Sequence, residues 1–297
     1  MKSKIAIITL LALLIVSAAT SARAQGALAP SGAPAPMMKT LEQIEPRTPI
    51  SSLPFTISSS GSYYLTSPLH STNSGITVSA DDVTIDLMGF TISGTQDTNH
   101  SGIFIAGGDD VMRRNVVVRN GGITRFGIGI HVKNTQSAQI SHLIVYQNAA
   151  EGIKLISVDP GVCTDVTVEQ CTITDNSSYG IYGYTKNDSQ NNRDHTIRNN
   201  RISGNYTAGV RLFRTRGCVV EGNAFGKQVP GELGAFAVYN TQGYNFTVRN
   251  FERGNTNGIG AAYWGFQGSE TFGPLVDVTG YLTVTNNTGS PWANFSR

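Results

Sequence analysis

His131, Lys154, Tyr182 and Arg211 are the residues of this chain whose types and spacing suit chemistry. They stand 23, 28 and 29 residues apart, with Phe104 another 27 residues upstream of His131. A cation can neutralise a carboxylate and stabilise charge developing on the carbon beside it. A base can then remove the proton from that carbon, and an acid can protonate a departing oxygen. These are the requirements of β-elimination from a uronate-containing polymer. Arg211 suits neutralisation through its planar, bidentate fork. Lys154 suits the base if its cationic neighbours lower its pKa. Tyr182 or His131 suits the acid, and Phe104 a stacking platform. The competing reading is an exposed strand face that carries polar side chains for solubility.

These residues share one position in a repeat. A glycine followed by isoleucine or valine recurs as Gly75-Ile76, Gly102-Ile103, Gly129-Ile130, Gly152-Ile153, Gly180-Ile181, Gly209-Val210 and Gly258-Ile259. Ala235-Phe236 fills the remaining gap. The intervals are 27, 27, 23, 28, 29, 26 and 23 residues, a period typical of stacked repeat architectures. Each repeat holds three short alternating apolar and polar segments, such as Gly152–Leu155, Val166–Val168 and Thr172–Thr174. The second and third segments are separated by a constant five residues, as from Val168 to Ile173 and from Ile197 to Ile202. A constant corner with variable loops elsewhere implies a coil of fixed cross-section.

With Gly-Ile-x-Val/Leu, Val-Thr-Ile/Val and corners such as Arg198-Asn199-Asn200, residues 50–297 resemble the pectate-lyase-like superfamily of exported bacterial repeat proteins. The resemblance implies an all-β chain folded as a right-handed single-stranded parallel β-helix of about eight to nine coils. It also implies a substrate groove over the first sheet. Lyases, hydrolases, epimerases and non-catalytic proteins share this coil. The Arg-centred and calcium-binding motifs of pectate lyases are missing, as are the Asp-rich signatures of polygalacturonase-like hydrolases.

A coil of this kind stacks equivalent residues about 4.8 Å apart. The expected inward rows are Ile76, Ile103, Ile130, Ile153, Ile181, Val210, Phe236, Ile259, and Val78, Ile105, Val132, Leu155, Leu212, Val238. The residue between them faces outward. That column reads Thr77, Phe104, His131, Lys154, Tyr182, Arg211, Ala237. From His131 to Arg211 it spans about 14 Å, three strand spacings. Asn200 and Asn223 at the constant corner, and Asn148, Asn176 and Asn205 after the third segment, are expected to form hydrogen-bonded ladders.

Loops add further candidates. Gly183–Asp194 carries Lys186, Asp188, Arg193 and Asp194, and Lys186 and Arg193 are candidate substrate-binding residues on one wall of the groove. Thr95–Ser101 and Gly226–Gly234 are candidates for the opposite wall. A glycosidase needs paired carboxylates, and the outward column holds none. Asp81-Asp82 and Asp109-Asp110 read as turn residues. His70, His100, His131, His142 and His195 are scattered without local metal-site spacing. No metal or other cofactor is expected, although loop Asp and Asn residues leave calcium open.

Residues 1–24 have the form of a signal peptide, with Lys2 and Lys4, an apolar run from Ile5 to Val16, and Ala22-Arg23-Ala24. Residues 25–49 read as a linker and N-terminal cap, with a short helix over Met37–Glu45. Residues 50–297 form the β-helix domain, closed by a strand at Tyr281–Val284 and by Pro291-Trp292. The expected location is secreted or periplasmic, with no membrane segment once the signal is removed. The formal charge falls from +2 to −1 when Lys2, Lys4 and Arg23 leave, which argues against a nucleic-acid partner. Cys163, Cys171 and Cys218 read as buried thiols, although export permits a disulfide.

The leading expectation is interaction with an acidic extracellular or cell-envelope polysaccharide, with cleavage by elimination as its catalytic form. The alternative is a non-catalytic surface, structural or glycan-binding β-helix. A factor for copper-enzyme assembly is a third reading, but the mature chain shows no Met and His cluster.

Overall fold

The computed structural model describes residues 45–108, 111–186, 192–230, 236–241, 244–252, 264–267, 271–272, 275–277 and 294–296. The expected signal peptide and capping helix, apart from Glu45, lie outside these residues. So do Asp109-Asp110, Asp188, Ala235, Ile259, the expected final strand and its Pro291-Trp292 cap, and part of the Gly226–Gly234 loop.

Every regular element among the described residues is a β-strand, and every strand pairing is parallel. The fold is a parallel β-solenoid with about six turns, running from Ile76 to Phe225. Further pairings continue it in both directions. Thr48–Ile50, expected in the cap region, is a strand paired with Gly61–Leu65. Strands 236–241 and 244–248 extend the stack at the other end. One nine-stranded sheet collects the first segment of each turn. The second and third segments make up the other sheet, and in two turns they merge into twelve-residue strands, Arg113–Thr124 and Thr135–Tyr146.

The Gly-Ile repeat has a steric cause. A Cβ placed on Gly129, Gly152, Gly180 or Gly209 would lie 2.5–2.9 Å from the carbonyl oxygen of the next residue in the same row. The backbone passes too close to the following coil there for a side chain. The next residue turns inward, and Ile76, Ile103, Ile130, Ile153, Ile181 and Val210 are fully buried. The second row, Val78, Ile105, Val132, Leu155 and Leu212, is equally buried. Gly183 takes that row's place in its turn, and Leu212 packs against the space above it.

The register corrects the rows at one point. Ala208 pairs with Phe236 and Val210 with Val238. Ala237, not Ala235, therefore occupies the small-residue position. Val238, not Phe236, continues the first inward row, and Tyr239, not Ala237, continues the outward column. The small-residue slot accepts alanine, so two alanines separated by one residue offered two phases. Only Ala237 places an apolar aliphatic in the core.

Sharp corners come from residues with positive φ in register. Asp82, Asn115, Ser137, Asp165, Asp194 and Gly217 mark the first corner. Asn120, His142, Gln170, Asn199 and Gly222 mark the second, and Arg125, Gln147, Asp175 and Gly204 the third. Asn, Asp and Gly tolerate this left-handed conformation best. Amide ladders line the inside of two corners. Asn200 Nδ2 donates to Asn223 Oδ1 at 3.0 Å, and Asn223 Nδ2 to Asn250 Oδ1 at 2.9 Å. Asn148, Asn176, Asn205 and Gln228 form the other ladder. Cys163, Cys171 and Cys218 are buried, and none is joined in a disulfide.

Candidate functional site

The first-segment strands bring the outward column together in unbroken register. Thr77 pairs with Phe104, Phe104 with His131, His131 with Lys154, Lys154 with Tyr182, and Tyr182 with Arg211. Tyr239 follows Arg211. The residues from Phe104 to Arg211 are half-buried by one another, and Tyr239 is nearly covered.

At one end the rings of Phe104 and His131 lie 4.9 Å apart, tilted by 32°. Burial, followed by repulsion from Lys154 and Lys133, pushes the His131 pKa down to about 4. The imidazole is therefore neutral near pH 7. Its Nε2 is buried without a protein hydrogen-bond partner. In the middle of the column, Lys154 Nζ lies 3.3 Å from Glu151 Oε1. Both side chains are largely covered, at 21% and 10% exposed.

The other end is aromatic. Tyr182 packs against Tyr179 at 4.9 Å and stacks on Tyr184 at 5.5 Å, and Tyr184 stacks on Phe213 at 5.8 Å. The Arg211 guanidinium sits 5.0–5.7 Å from the ring centres of Tyr179, Tyr182, Phe213 and Tyr239. It donates a hydrogen bond from Nη1 to the Tyr179 hydroxyl, while its buried Nε has no protein partner. Among the described residues no carboxylate pairs with Arg211. Each ring face attracts the cation by roughly 0.5–1 kcal/mol, more where water is excluded. Burial raises the Tyr182 pKa to about 12 against the opposing pull of Arg211, so its phenol stays protonated at neutral pH.

The loop candidates separate. Lys186 is exposed at the end of the strand Ile181–Thr185, and its backbone N–H donates to Ser157 O at 3.1 Å. Arg193 lies in the other sheet, paired with Thr164 and Arg216, and its guanidinium contacts Asp194 at 2.9 Å. The buried side chains of Asn192 and His195 draw that part of the loop back into the coil. Asn192 Nδ2 donates to Leu155 O and Tyr184 O, and His195 Nδ1 accepts from Val166 N–H. Arg193 therefore does not line the face that carries the column.

Five site residues escape the single-column reading: Glu151, Tyr179, Tyr184, Phe213 and Tyr239. Tyr184 and Phe213 follow from alternation two residues beyond Tyr182 and Arg211. Glu151 and Tyr179 immediately precede the glycines, at the entry to each strand, where alternation no longer assigns a face.

This surface offers aromatic faces for stacking sugar rings, a neutral imidazole, an internally compensated Lys-Glu pair and a cation without a carboxylate partner among the described residues. Elimination on one sugar requires the neutraliser and the base to reach adjacent atoms. His131 stands three strands from Arg211, about 14 Å away, and Lys154 two strands, about 10 Å. Tyr182, one strand away, is held in its protonated form.

The fold and this face define a right-handed parallel β-helix with an elaborated first sheet. The chain belongs to the family described as the right-handed beta helix region, matched over residues 66–225, just over half of its length. No curated protein matches it. Among solved structures it is similar to the enzymatically active domain of tailspike protein 2 of bacteriophage CBA120. The identity is 12% and the TM-score 0.45, covering 69% of this chain but only 37% of that one. PfbA, a surface adhesin of Streptococcus pneumoniae, shares 14% identity with a TM-score of 0.41, covering 74% of this chain and 69% of the adhesin. The A-module of an Azotobacter vinelandii mannuronan C-5 epimerase shares 11% identity with a TM-score of 0.33, covering 80% and 91%. These likenesses concern the coil alone.

Proposed function

We propose that this protein is an exported glycan-binding β-helix whose first sheet seats an acidic polysaccharide, with Arg211 as the carboxylate anchor. The observation that carries the reading is the setting of Arg211: four aromatic rings, no carboxylate partner among the described residues, and a buried Nε left without a bond. A half-buried cation and a buried, unpaired donor favour a ligand that brings an anion. Tyr182, Tyr184 and Phe213 supply the flat apolar faces against which pyranose rings pack.

Binding is favoured over cleavage because Tyr182, one strand from Arg211, is a protonated phenol and the neutral imidazole is three strands away. Elimination remains the second reading, favoured by His131, whose unprotonated ring leaves Nε2 unpaired. In it, His131 or Lys154 takes the proton and Tyr182 donates to the leaving oxygen.

The test is retardation of the purified protein in gels containing a panel of acidic polysaccharides, with ultraviolet absorbance followed for unsaturated product. Retardation without new absorbance supports binding. Rising absorbance that is lost in Lys154→Ala or His131→Ala supports elimination. No retardation and no product with any polymer contradicts both.

A further inference from the structure

The groove does not carry its charge evenly, and the unevenness speaks to the ligand. One sugar of an extended glycan advances by about one strand spacing, about 4.8 Å, so successive sugars lie over successive strands. The sugar over the strand Ala208–Phe213 meets Arg211. The next meets the ring of Tyr182. The third lies over the strand Ile153–Ser157, where Lys154 is already neutralised by Glu151 at 3.3 Å. The fourth meets the tilted pair of Phe104 and His131. Glu151 is felt beyond its own strand, since its charge is among the causes that keep Tyr182 protonated. Lys133 stands off this line, in the next outward column between Ala106 and Ile156.

A homopolyuronate would set a carboxylate on every one of these strands. Among the described residues of this column, only Arg211 offers such a carboxylate a cation without a carboxylate partner. The one over Ile153–Ser157 would confront Glu151, and juxtaposed like charges in a partly dried interface cost several kcal/mol. The carboxylate near His131 would lose water over a neutral ring, with Lys154 already paired to Glu151 and Lys133 one column away. Neutral sugars at these two places meet hydrogen-bonding groups and an aromatic face without that cost.

We infer that the ligand of this groove is a heteroglycan with isolated carboxylates, one uronate or other acidic sugar flanked by neutral sugars, and that Glu151 is the residue that rejects a continuous polyuronate. This inference rests on the glycan-binding reading above and deepens it.

The experiment is calorimetric titration of the full-length protein with two tetrasaccharides, one of four linked galacturonates and one of three neutral hexoses with a single uronate. The proteins are the wild type, Glu151→Gln, Lys154→Met and Arg211→Ala, each shown to be folded by circular dichroism. The wild type binds the single-uronate oligomer at least about tenfold more tightly, a difference of about 1.4 kcal/mol. Glu151→Gln raises affinity for tetragalacturonate about tenfold and so narrows the ratio between the two oligomers. Lys154→Met, which leaves the Glu151 carboxylate unopposed, weakens tetragalacturonate further and serves if Glu151→Gln does not fold. Equal or tighter binding of tetragalacturonate, with a ratio unmoved by either variant, overturns the role of Glu151 and leaves the groove standing. Failure of both oligomers to bind overturns the glycan-binding reading itself, and this inference with it.

Discussion

Replacing Asn176 by alanine removes the central rung of a buried ladder, and the cost can be worked bond by bond. Asn176 Oδ1 accepts from the Asn148 backbone N–H at 3.1 Å and from Asn148 Nδ2 at 2.9 Å. Its Nδ2 donates to Val145 O at 3.3 Å and to Asn205 Oδ1 at 2.9 Å. In Asn176→Ala the Asn148 N–H is left buried with no acceptor, which costs about 1–3 kcal/mol. The other three bonds are lost at about 0.5–1 kcal/mol each. The sum is about 2.5–6 kcal/mol, a large fraction of the roughly 5–15 kcal/mol that holds a typical domain folded. Each coil touches only its neighbours, so the damage is local at first. Urea unfolding followed by circular dichroism measures the loss, and hydrogen exchange at the Asn148 amide locates it. Thr174→Ala, which removes one half-exposed hydroxyl, is the control and shifts stability by less than about 0.5 kcal/mol. A loss below about 1 kcal/mol in Asn176→Ala, with unchanged exchange at Asn148, would refute the claim that the ladder holds the corner together.

Other predictions concern the row of glycines, the histidines and the thiols. Gly180→Ala would force a Cβ to within 2.5 Å of the Gly209 carbonyl oxygen, so soluble expression falls sharply; a variant with wild-type unfolding behaviour contradicts the steric account of the repeat. His131, at about 4, and His195, at about 3, both lie below their ordinary 6.5. The unfolded chain therefore binds more protons, and stability is full above about pH 6.5 and falls as pH drops toward 4 and below. For His131 the difference is worth about 3 kcal/mol, and a proton NMR titration of its ring is expected to show a midpoint near 4, not near 6.5. Cys163 and Cys171, buried and raised to about 12, stay unreactive toward a thiol reagent until urea unfolds the chain. Rapid labelling of the native protein would contradict their burial.

Much of the coil is legible in the sequence because one steric rule writes it repeatedly. Where the backbone of one turn presses on the next, only glycine or alanine fits, and the following residue must fill the core. That rule orders Ile76 through Val210 and aligns Phe104, His131, Lys154, Tyr182 and Arg211. It loses phase at Ala235–Ala237, because either alanine satisfies the small-residue position and only the buried Val238 decides between them. The corners conceal more. Ser137 and His142 take positive φ, as Asn and Gly do in the same rows, so side-chain type alone does not mark every bend. Glu151 and Tyr179 sit at strand entries, where the two-residue period has not begun. Arg193 reads as a loop residue in the sequence, yet Asn192 and His195 satisfy buried backbone groups and return that segment to the second sheet. The charge balance of the site was hidden for the same reason: the partner of Lys154 lies outside the alternating pattern.

The central claim is that Arg211 anchors a carboxylate on the first sheet, and one comparison tests it directly. An acidic polysaccharide that retards the wild-type protein in a gel is chemically reduced at its carboxyl groups, and both forms are run against wild type and Arg211→Ala. The account predicts that wild type binds the acidic form at least about tenfold more tightly than the reduced form. Arg211→Ala, folded as wild type by circular dichroism, binds both forms weakly and alike. Equal retardation of wild type by the two forms, or an undiminished preference in Arg211→Ala, would contradict it.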